Sequence, residues 1–162
     1  MKLTQTVIST VLLAASAVAA TEGASYGGNY YELHPNPENR GTWTDAEADA
    51  ANMSHCGVKG HLAKITSQGE NDFIVGLGEV DDVAGVWIGL NDIAMEDEWV
   101  WHDDGALCAA YNAWDIGQPG HEWGPKNEDC VGLGLVEKTS KWHDFPCDET
   151  VGRISHYVVE FD

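Results

Sequence analysis

The sequence predicts an α+β domain, with two helices first, short strands after them and one long irregular loop among the strands. Two helix-start signals, at Thr44 and Ser67, indicate the helices. From Val86 onward the apolar residues fall in short continuous runs or at alternate positions, as they do in strands. Between Gly105 and Cys130 the chain is rich in glycine, proline, asparagine and aspartate and has no sustained period. We find no internal repeat, so one domain is expected.

The first twenty residues have the features of a secretory signal peptide. Lys2 precedes an apolar run from Val7 to Leu13, and small residues follow at 17–20. The run is too short to span a membrane, which takes about 20 apolar residues. We therefore predict a secreted, extracellular protein with a signal peptide at 1–20, a short flexible linker at 21–28 and one domain at 29–162.

Acidic residues dominate the charge. The chain has 27 Asp and Glu against 8 Lys and Arg, a formal charge of -19, and loss of Lys2 with the signal peptide takes it from -19 to -20. Nucleic acid and anionic membranes repel such a protein, whereas cations or a salt-rich environment suit it. The four cysteines of an exported chain indicate disulfides, and they lack the Cys-x-x-Cys or Cys/His spacing of a zinc site.

Two capping boxes predict the helices. Thr44 pairs with Glu47 at the first start, and Gly57 ends that helix. Ser67 pairs with Glu70 at the second start. Apolar residues at helical spacing supply the buried faces, Ala46, Ala50 and Met53 in the first helix and Phe73, Ile74 and Leu77 in the second.

Strands are predicted from short apolar or alternating runs. They are Tyr30–Leu33, Val86–Leu90, Glu98–Trp101, Cys130–Val136, Ser140–Phe145 and His156–Phe161. Pro35 ends the first of them, since proline cannot continue a sheet ladder. The last strand alternates regularly, and we expect it to pair with the first and bring the termini together.

The long loop is expected to be ordered, because Trp114, Pro119 and Trp123 are unusual in disordered segments. The stretch from Trp114 to Cys147 also concentrates oxygen-bearing side chains, namely Gln118, Glu122, Glu128, Asp129 and Asp144. Such oxygens are the ligands that a hard cation such as Ca²⁺ takes. The alternative is a solvated acidic loop without a ligand.

A series of motifs runs through the predicted domain. They are Trp43-Thr44-Asp45-Ala46, Cys56, Gly60-His61-Leu62-Ala63, Ile65, Ser67, Glu70, Phe73, Trp87-Ile88-Gly89-Leu90, Trp99, Trp101, Trp114 to Pro119, Glu128-Asp129-Cys130, Trp142-His143-Asp144, Pro146-Cys147 and Tyr157-Val158-Val159-Glu160. In this order they resemble the C-type lectin-like domain. The resemblance implies a C-type lectin-like fold, with two helices packed on small antiparallel sheets and a long ordered loop that binds calcium and ligand.

In that family the long loop and a neighbouring strand bind Ca²⁺, and vicinal hydroxyls of a sugar complete the coordination. The resemblance implies that Gln118, Glu128 and Asp144 hold this ion and also contact the sugar. It implies further sugar contacts from His143 and from Trp123, whose ring would cover the less polar face of the sugar. Glycans are the predicted partners and Ca²⁺ the predicted cofactor.

The sugar class is suggested by the start of the loop. Family members that bind galactose-type sugars begin it with Gln-Pro-Asp and a nearby tryptophan, whereas mannose-type members begin it with Glu-Pro-Asn. Here the residues are Gln118-Pro119-Gly120 with Trp123 close behind, which resembles the galactose type. The resemblance also implies a cis peptide bond before Pro119.

Two positions depart from the family pattern. Gly120 has no side-chain oxygen where the family has Asp or Asn, and His143 replaces an asparagine. Neutral imidazole is a poor ligand for Ca²⁺ and a good one for zinc or copper. Two of the five usual side-chain ligands are therefore missing, and Glu122 is a candidate replacement for one of them.

A second calcium site of the family lies beside the first. The resemblance implies Asp92, Glu96 and Asp129 as its side-chain ligands, with the carbonyl of Glu128 as a fourth. His121 stands where the family has a further acidic residue. Three close carboxylates repel one another without a cation, and the alternative is that they face solvent on a loop.

The cysteines match the family only in part. Cys130 and Cys147 correspond to the bridge between the strands that flank the loop, and closing a loop of this length is worth about 3 kcal/mol in the chain-entropy model. The family partner of Cys56 is replaced by Val159, which leaves Cys108. Three alternatives stay open: Cys56 and Cys108 form another bridge, both are free, or one of them links two chains.

Two other functional classes were weighed. A metal hydrolase can be drawn from Glu122, Glu128, His143 and Asp144, but no HExxH, GxSxG or catalytic Cys/His pattern supports an enzyme. The other class is a C-type lectin-like module that binds a protein or an ice surface without sugar, with calcium structural or absent. The loss of two calcium ligands is the feature that points to this alternative.

Overall fold

The computed structural model describes residues 23–36, 41–78, 85–108, 110–120, 127–134, 139–148 and 154–162. Within these ranges it has the predicted α+β architecture. The helices are α1 (Trp43–Ala51) and α2 (Gln68–Gly78). The strands are β1 (Gly23–Tyr26), β2 (Asn29–Pro35), β3 (Ser54–His55), β4 (Val58–Lys59), β5 (His61–Leu62), β6 (Val86–Asn91), β7 (Val100–Trp101), β8 (Cys130–Leu133), β9 (Trp142–Phe145) and β10 (His156–Phe161).

Eight of the described strands form one sheet, whose main path is β1-β2-β10-β6-β8-β9. Strands β5 and β7 pair with β10 and β6 off this path, and β3–β4 is a separate hairpin. Strand β10 lies antiparallel to β2 along its length, from His156 opposite Pro35 to Phe161 opposite Tyr30. The predicted pairing of the last strand with the first is confirmed. The other end of the path is β9, which carries His143 and Asp144 beside the long loop.

Helix α1 begins earlier than the predicted capping box at Thr44. Its N-cap is Thr42, whose hydroxyl oxygen accepts a hydrogen bond from the main-chain N–H of Asp45 at 3.1 Å. The difference arises from Trp43, whose buried indole N–H donates to the carbonyl of Ile88 at 2.7 Å. This bond fixes the chain against β6 just before Thr44. The helix therefore begins at Trp43, with Thr42 as its N-cap.

Helix α2 starts where the sequence predicts it. The Ser67 hydroxyl accepts from the main-chain N–H of Glu70 at 3.2 Å. The Glu70 carboxylate turns back to accept from the N–H of Thr66 at 2.7 Å and from the Tyr31 hydroxyl at 2.6 Å. The cap of α2 is thereby tied to β2.

The core consists of two clusters that cover opposite faces of the sheet. Consecutive residues of β6 divide between them, because side chains alternate along a strand: Ile88 belongs to the first cluster and Trp87 to the second. Trp101 and Trp142 are buried in the first cluster, and Trp99 packs half-buried against it. The tryptophans of the strands therefore serve the core rather than the surface.

Part of the predicted linker at 21–28 is a strand instead. Gly23–Tyr26 pairs antiparallel with β2, with Gly23 opposite Glu32. The hairpin turns at Gly27 and Gly28, whose φ angles of 64° and 110° are readily available to glycine. The signal peptide predicted at 1–20 lies outside the described residues. Neither helix in the described ranges is long and apolar enough to cross a membrane.

The cysteines divide into one bridge and two thiols. Cys130 and Cys147 form the predicted disulfide. Cys56 and Cys108 are both free, so the alternative in which they form a second bridge is wrong. Cys56 is exposed at the turn of the β3–β4 hairpin, whereas Cys108 follows β7 and its thiol donates to the carbonyl of Tyr111 at 3.2 Å. Burial raises the pKa of Cys108 to about 11.

Candidate functional site

Asp144 on β9 is the point where the long loop meets the sheet. It is buried, and both of its carboxylate oxygens accept from the main-chain N–H of Gly120, at 2.9 and 3.1 Å. These bonds join residues that are 24 positions apart in the sequence and hold the Gln118-Pro119-Gly120 segment on β9. The Gln118–Pro119 peptide bond is cis, as the resemblance implies. The structure thus brings the start of the loop and Asp144 together.

Glu128 and Asp92 are buried carboxylates of the same region. Burial, followed by the negative charges of Glu128 and Asp92, raises the pKa of Asp144 to about 6, although the Gly120 N–H lowers it. Two buried carboxylates from other segments, Glu128 and Asp92, therefore lie within electrostatic reach of Asp144. Burying like charges together is unfavourable unless a cation or donors compensate.

The second predicted set is brought together only in part, around the loop that follows β6. The main-chain N–H of Asp92 donates to the carbonyl of Asp129 at 3.0 Å, and Oδ2 of Asp92 accepts from the N–H of Asp97 at 2.8 Å. Burial raises the pKa of Asp92 to about 6, and the charges of Asp129 and Glu96 add to the rise. Glu96 is exposed and Asp129 half-buried. The ligand sets predicted for the two ions are therefore neighbours. Asp92 belongs to the second set, and its charge also acts on Asp144 of the first set.

Oδ1 of Asp92 and Oε1 of Gln118 are buried without a hydrogen-bond partner among the described residues. A buried acceptor without a donor costs free energy, typically about 1–3 kcal/mol. In the described ranges, no three or more His, Cys, Asp and Glu side chains form a group that could hold a metal ion.

His143 contacts Asp115, to which no sequence motif assigns a role. Its Nε2 lies 3.0 Å from Oδ2 of Asp115, and its ring stacks on Phe145 with centroids 6.3 Å apart. The N–H of Ile116 and the neighbouring His143 lower the pKa of Asp115, so that carboxyl stays ionised. No period or short motif links positions 28 apart, and only the fold brings Asp115 to His143.

The remaining predicted residues lie outside the described part of the chain. Trp123, Glu122 and His121 fall in the range 121–126. Their roles, as a sugar platform, a replacement ligand and a substituted ligand position, stay predictions.

Comparison with known families decides what kind of domain carries this site. The family model described as the lectin C-type domain matches residues 38–154. The chain belongs to the C-type lectin domain family. The resemblance drawn from the motifs is confirmed, and so is the fold that it implies.

The relatives of this C-type lectin domain include sugar-binding proteins. An alpha-N-acetylgalactosamine-specific lectin from Patiria pectinifera is 30% identical over 126 residues, which cover 75% of this chain and 70% of that protein. The structure of human lithostathine superposes with a TM-score of 0.67 at 30% identity, covering 86% of this chain and 96% of the other. The carbohydrate-recognition domain of the mouse scavenger receptor C-type lectin gives 0.63 at 30% identity, covering 86% and 95%.

These relatives are lectins and lectin-like domains, which are binding modules without enzymatic activity. The chain is accordingly a C-type lectin-like binding domain and not an enzyme. The metal hydrolase drawn from Glu122, Glu128, His143 and Asp144 is therefore set aside.

Proposed function

We propose that this domain is exported, binds Ca²⁺ where the long loop meets β9, and recognises a galactose-type glycan there. The observation that carries the proposal is the burial of Asp144 with the charges of Glu128 and Asp92 acting on it, next to a loop held by the Gly120 N–H. A domain gains nothing in stability from burying ionised like charges near one another. A cation would offset the repulsion that Asp144 experiences.

The donor set suits calcium in its chemistry. At the proposed site, Oδ1 of Asp92 and Oε1 of Gln118 are buried oxygens without a hydrogen-bond partner among the described residues. The nearby imidazole nitrogen, Nε2 of His143, is directed at Asp115. Oxygen ligands select hard cations such as Ca²⁺ over zinc or copper. The side chains proposed to hold calcium are Gln118, Glu128 and Asp144 in one group and Asp92, Glu96 and Asp129 in the other.

The same side chains would orient the sugar. When bound, Ca²⁺ accepts sugar hydroxyl oxygens in place of water. The carboxylates of Glu128 and Asp144 would each accept a hydrogen bond from a hydroxyl, and the carboxamide of Gln118 can both donate and accept. Trp123 is proposed to stack on the apolar face of the ring.

A galactose-type ligand is supported by two observations. The loop begins with Gln118-Pro119, and a relative with 30% identity is named as specific for alpha-N-acetylgalactosamine. A carboxamide at the first position replaces the carboxylate of mannose-type loops and changes which hydroxyls find an acceptor. We infer the class of sugar from this and leave its identity to a glycan array.

The direct test is a calcium titration followed by chromatography on galactose resin. Wild type should bind calcium, stay on the resin and elute with chelator. Asp144→Ala should weaken calcium binding at least tenfold, about 1.4 kcal/mol, and abolish retention. Asp72→Ala removes an exposed carboxylate of α2 and should change neither. Equal calcium binding and retention in Asp144→Ala would overturn the site.

A second candidate is a lectin-like module that binds a protein or an ice surface without sugar. The observation that favours it is the loss of oxygen ligands at Gly120 and His143, the latter engaged with Asp115. Such a module would not bind a glycan array. It would melt at the same temperature in calcium and in chelator if calcium is absent from it, and at a higher temperature in calcium if calcium is structural.

A further inference from the structure

We propose that Asp115 is a positioning residue: through His143 it holds residues 115–120, the ligand loop, on β9 before any ion binds. The inference deepens the proposed function and rests on it only in calling this loop part of a ligand site. What the geometry itself points to is a clamp made of protein atoms alone.

The first part of the clamp is made by the main chain. The N–H of Asp115 donates to the carbonyl of Trp142 at 3.1 Å, and the N–H of Trp142 donates to the carbonyl of Ala113 at 2.9 Å. The carbonyl of Asp115 then accepts from the N–H of Gln118 at 3.0 Å. Asp115 is therefore the residue at which the chain leaves β9 and turns into the ligand loop.

The second part is made by the side chain. Oδ1 of Asp115 accepts from the N–H of Ile116 at 2.8 Å, and Oδ2 lies 3.0 Å from Nε2 of His143, which donates when it carries the proton. At the far end of the loop the N–H of Gly120 bonds to Asp144. Two adjacent residues of one strand, His143 and Asp144, thus grip the two ends of a six-residue loop.

This arrangement gives a physical reason for the histidine at position 143, where the family has an asparagine. With Nε2 on Asp115, His143 supports the loop that carries Gln118 instead of facing the ion. A loop that is already ordered loses less conformational entropy when a ligand binds. The clamp would thereby offset part of the affinity lost with the absent oxygen ligand.

The side-chain bond is only partly buried, with 31% of the Asp115 side chain and 16% of the His143 side chain exposed. Pairs with this exposure usually contribute little to global stability. Breaking this bond should loosen the ligand loop locally. A global unfolding measurement would not detect the change.

The test is amide hydrogen exchange of the ligand loop in chelator, read at Gln118 and Gly120. In wild type both amides should be protected without calcium. Asp115→Ala should speed their exchange at least tenfold, whereas Asp115→Asn, which keeps an acceptor oxygen, should stay within threefold of wild type. His143→Ala should repeat the effect of Asp115→Ala from the other side of the bond.

The matched control is Glu47→Ala, because Glu47 forms a histidine–carboxylate pair with His102 at the same 3.0 Å on another part of the surface. It should leave the loop amides unchanged. Unprotected amides in wild type, or protection kept in both Asp115→Ala and His143→Ala, would overturn the clamp. Neither calcium nor sugar is present, so absence of calcium binding in wild type would refute the proposed function alone.

Discussion

Two groups of buried carboxylates in this domain differ in their surroundings: the first lies among hydrogen-bond donors and the second beside other carboxylates. The first, which we call the α2 network, consists of Glu70, Glu160 and Tyr31. Glu160 accepts from Asn29 Nδ2 at 2.6 Å, from the Tyr31 hydroxyl at 3.0 Å and from the N–H of Lys64 at 2.8 Å. The Tyr31 hydroxyl also lies 2.6 Å from Glu70. Each carboxylate here is surrounded by donors.

The second group, the loop carboxylates, consists of Asp92, Glu128 and Asp144. Asp92 accepts one main-chain N–H on Oδ2, and Oδ1 lacks a partner among the described residues. The Asp144 carboxylate accepts from the main-chain N–H of Gly120 and from its own main-chain N–H. The neighbours that act most strongly against ionisation of Asp144, apart from burial itself, are the negative charges of Glu128 and Asp92.

The difference separates carboxylates that build the fold from carboxylates kept for a ligand. A buried carboxylate surrounded by donors stabilises the native chain only while all partners are present. A buried carboxylate beside others weakens the apo protein and gains its compensation from a bound cation. Substitutions should therefore have opposite signs in the two groups.

The largest expected effect is in the α2 network. Glu160→Ala leaves Asn29 Nδ2 and the N–H of Lys64 without their acceptor, whereas the Tyr31 hydroxyl keeps Glu70. It should cost about 3–5 kcal/mol of unfolding free energy, as for other buried groups that lose one partner. Urea denaturation measures the change. A loss below about 0.5 kcal/mol would mean that water or repacking satisfies these donors, and the contrast between the groups would disappear.

The loop carboxylates should show the opposite sign and a pH dependence. Asp92 and Asp144 have pKa values of about 6 in the folded protein against 3.8 ordinarily. The native state therefore binds protons more tightly, and in chelator stability should fall as pH rises from about 4 to about 6. At about 1.4 kcal/mol for each pH unit, the loss is at most about 3 kcal/mol per carboxyl.

Asp144→Asn sharpens this comparison. In chelator at pH 7 the variant should be more stable than wild type by about 1–3 kcal/mol, and its stability should change less between pH 4 and pH 6. Urea denaturation across that pH range is the measurement. A variant that is less stable than wild type in chelator would place Asp144 with the structural carboxylates.

A smaller effect is expected at Tyr31. Tyr31→Phe removes one donor from the α2 network, but Glu70 keeps the N–H of Thr66 and Glu160 keeps Asn29 and Lys64. The expected loss is about 1–2 kcal/mol by thermal or urea unfolding. Tyr111→Phe is the control, since its hydroxyl makes one exposed bond to Gln68, and it should be nearly neutral. Equal losses of unfolding free energy in the two variants would show that burial does not determine how much these hydrogen bonds stabilise the fold.

Sequence patterns predicted the elements that short-range rules determine. The start of α2 follows from Ser67 and Glu70, and β10 follows from alternation, because both signals lie within a few residues. Helix α1 begins earlier than the predicted capping box at Thr44. The contact of Trp43 with Ile88 that fixes this start spans 45 positions, so no local pattern indicates it. Strand β1 was missed because Gly23–Tyr26 has little strand character until β2 provides its partner.

The candidate site also has residues that sequence motifs predict and residues whose role only the fold determines. Its oxygen donors were predicted from motifs, because Gln118, Glu128 and Asp144 occupy family positions in the sequence. Asp115 was not predicted, since its role arises from a side chain 28 positions away on β9. The raised pKa of Asp92 and Asp144 could not be predicted either, because burial and neighbouring charge depend on the fold.

The central claim, that the loop carboxylates are arranged for a cation, is tested most directly by melting the protein at pH 7 in calcium and in chelator. Calcium at about 100 times its wild-type dissociation constant should add about 2.7 kcal/mol and raise Tm in wild type and in Glu160→Gln, and it should raise Tm clearly less in Asp144→Asn. The same Tm for wild type in both buffers, with no heat on titration, would contradict it.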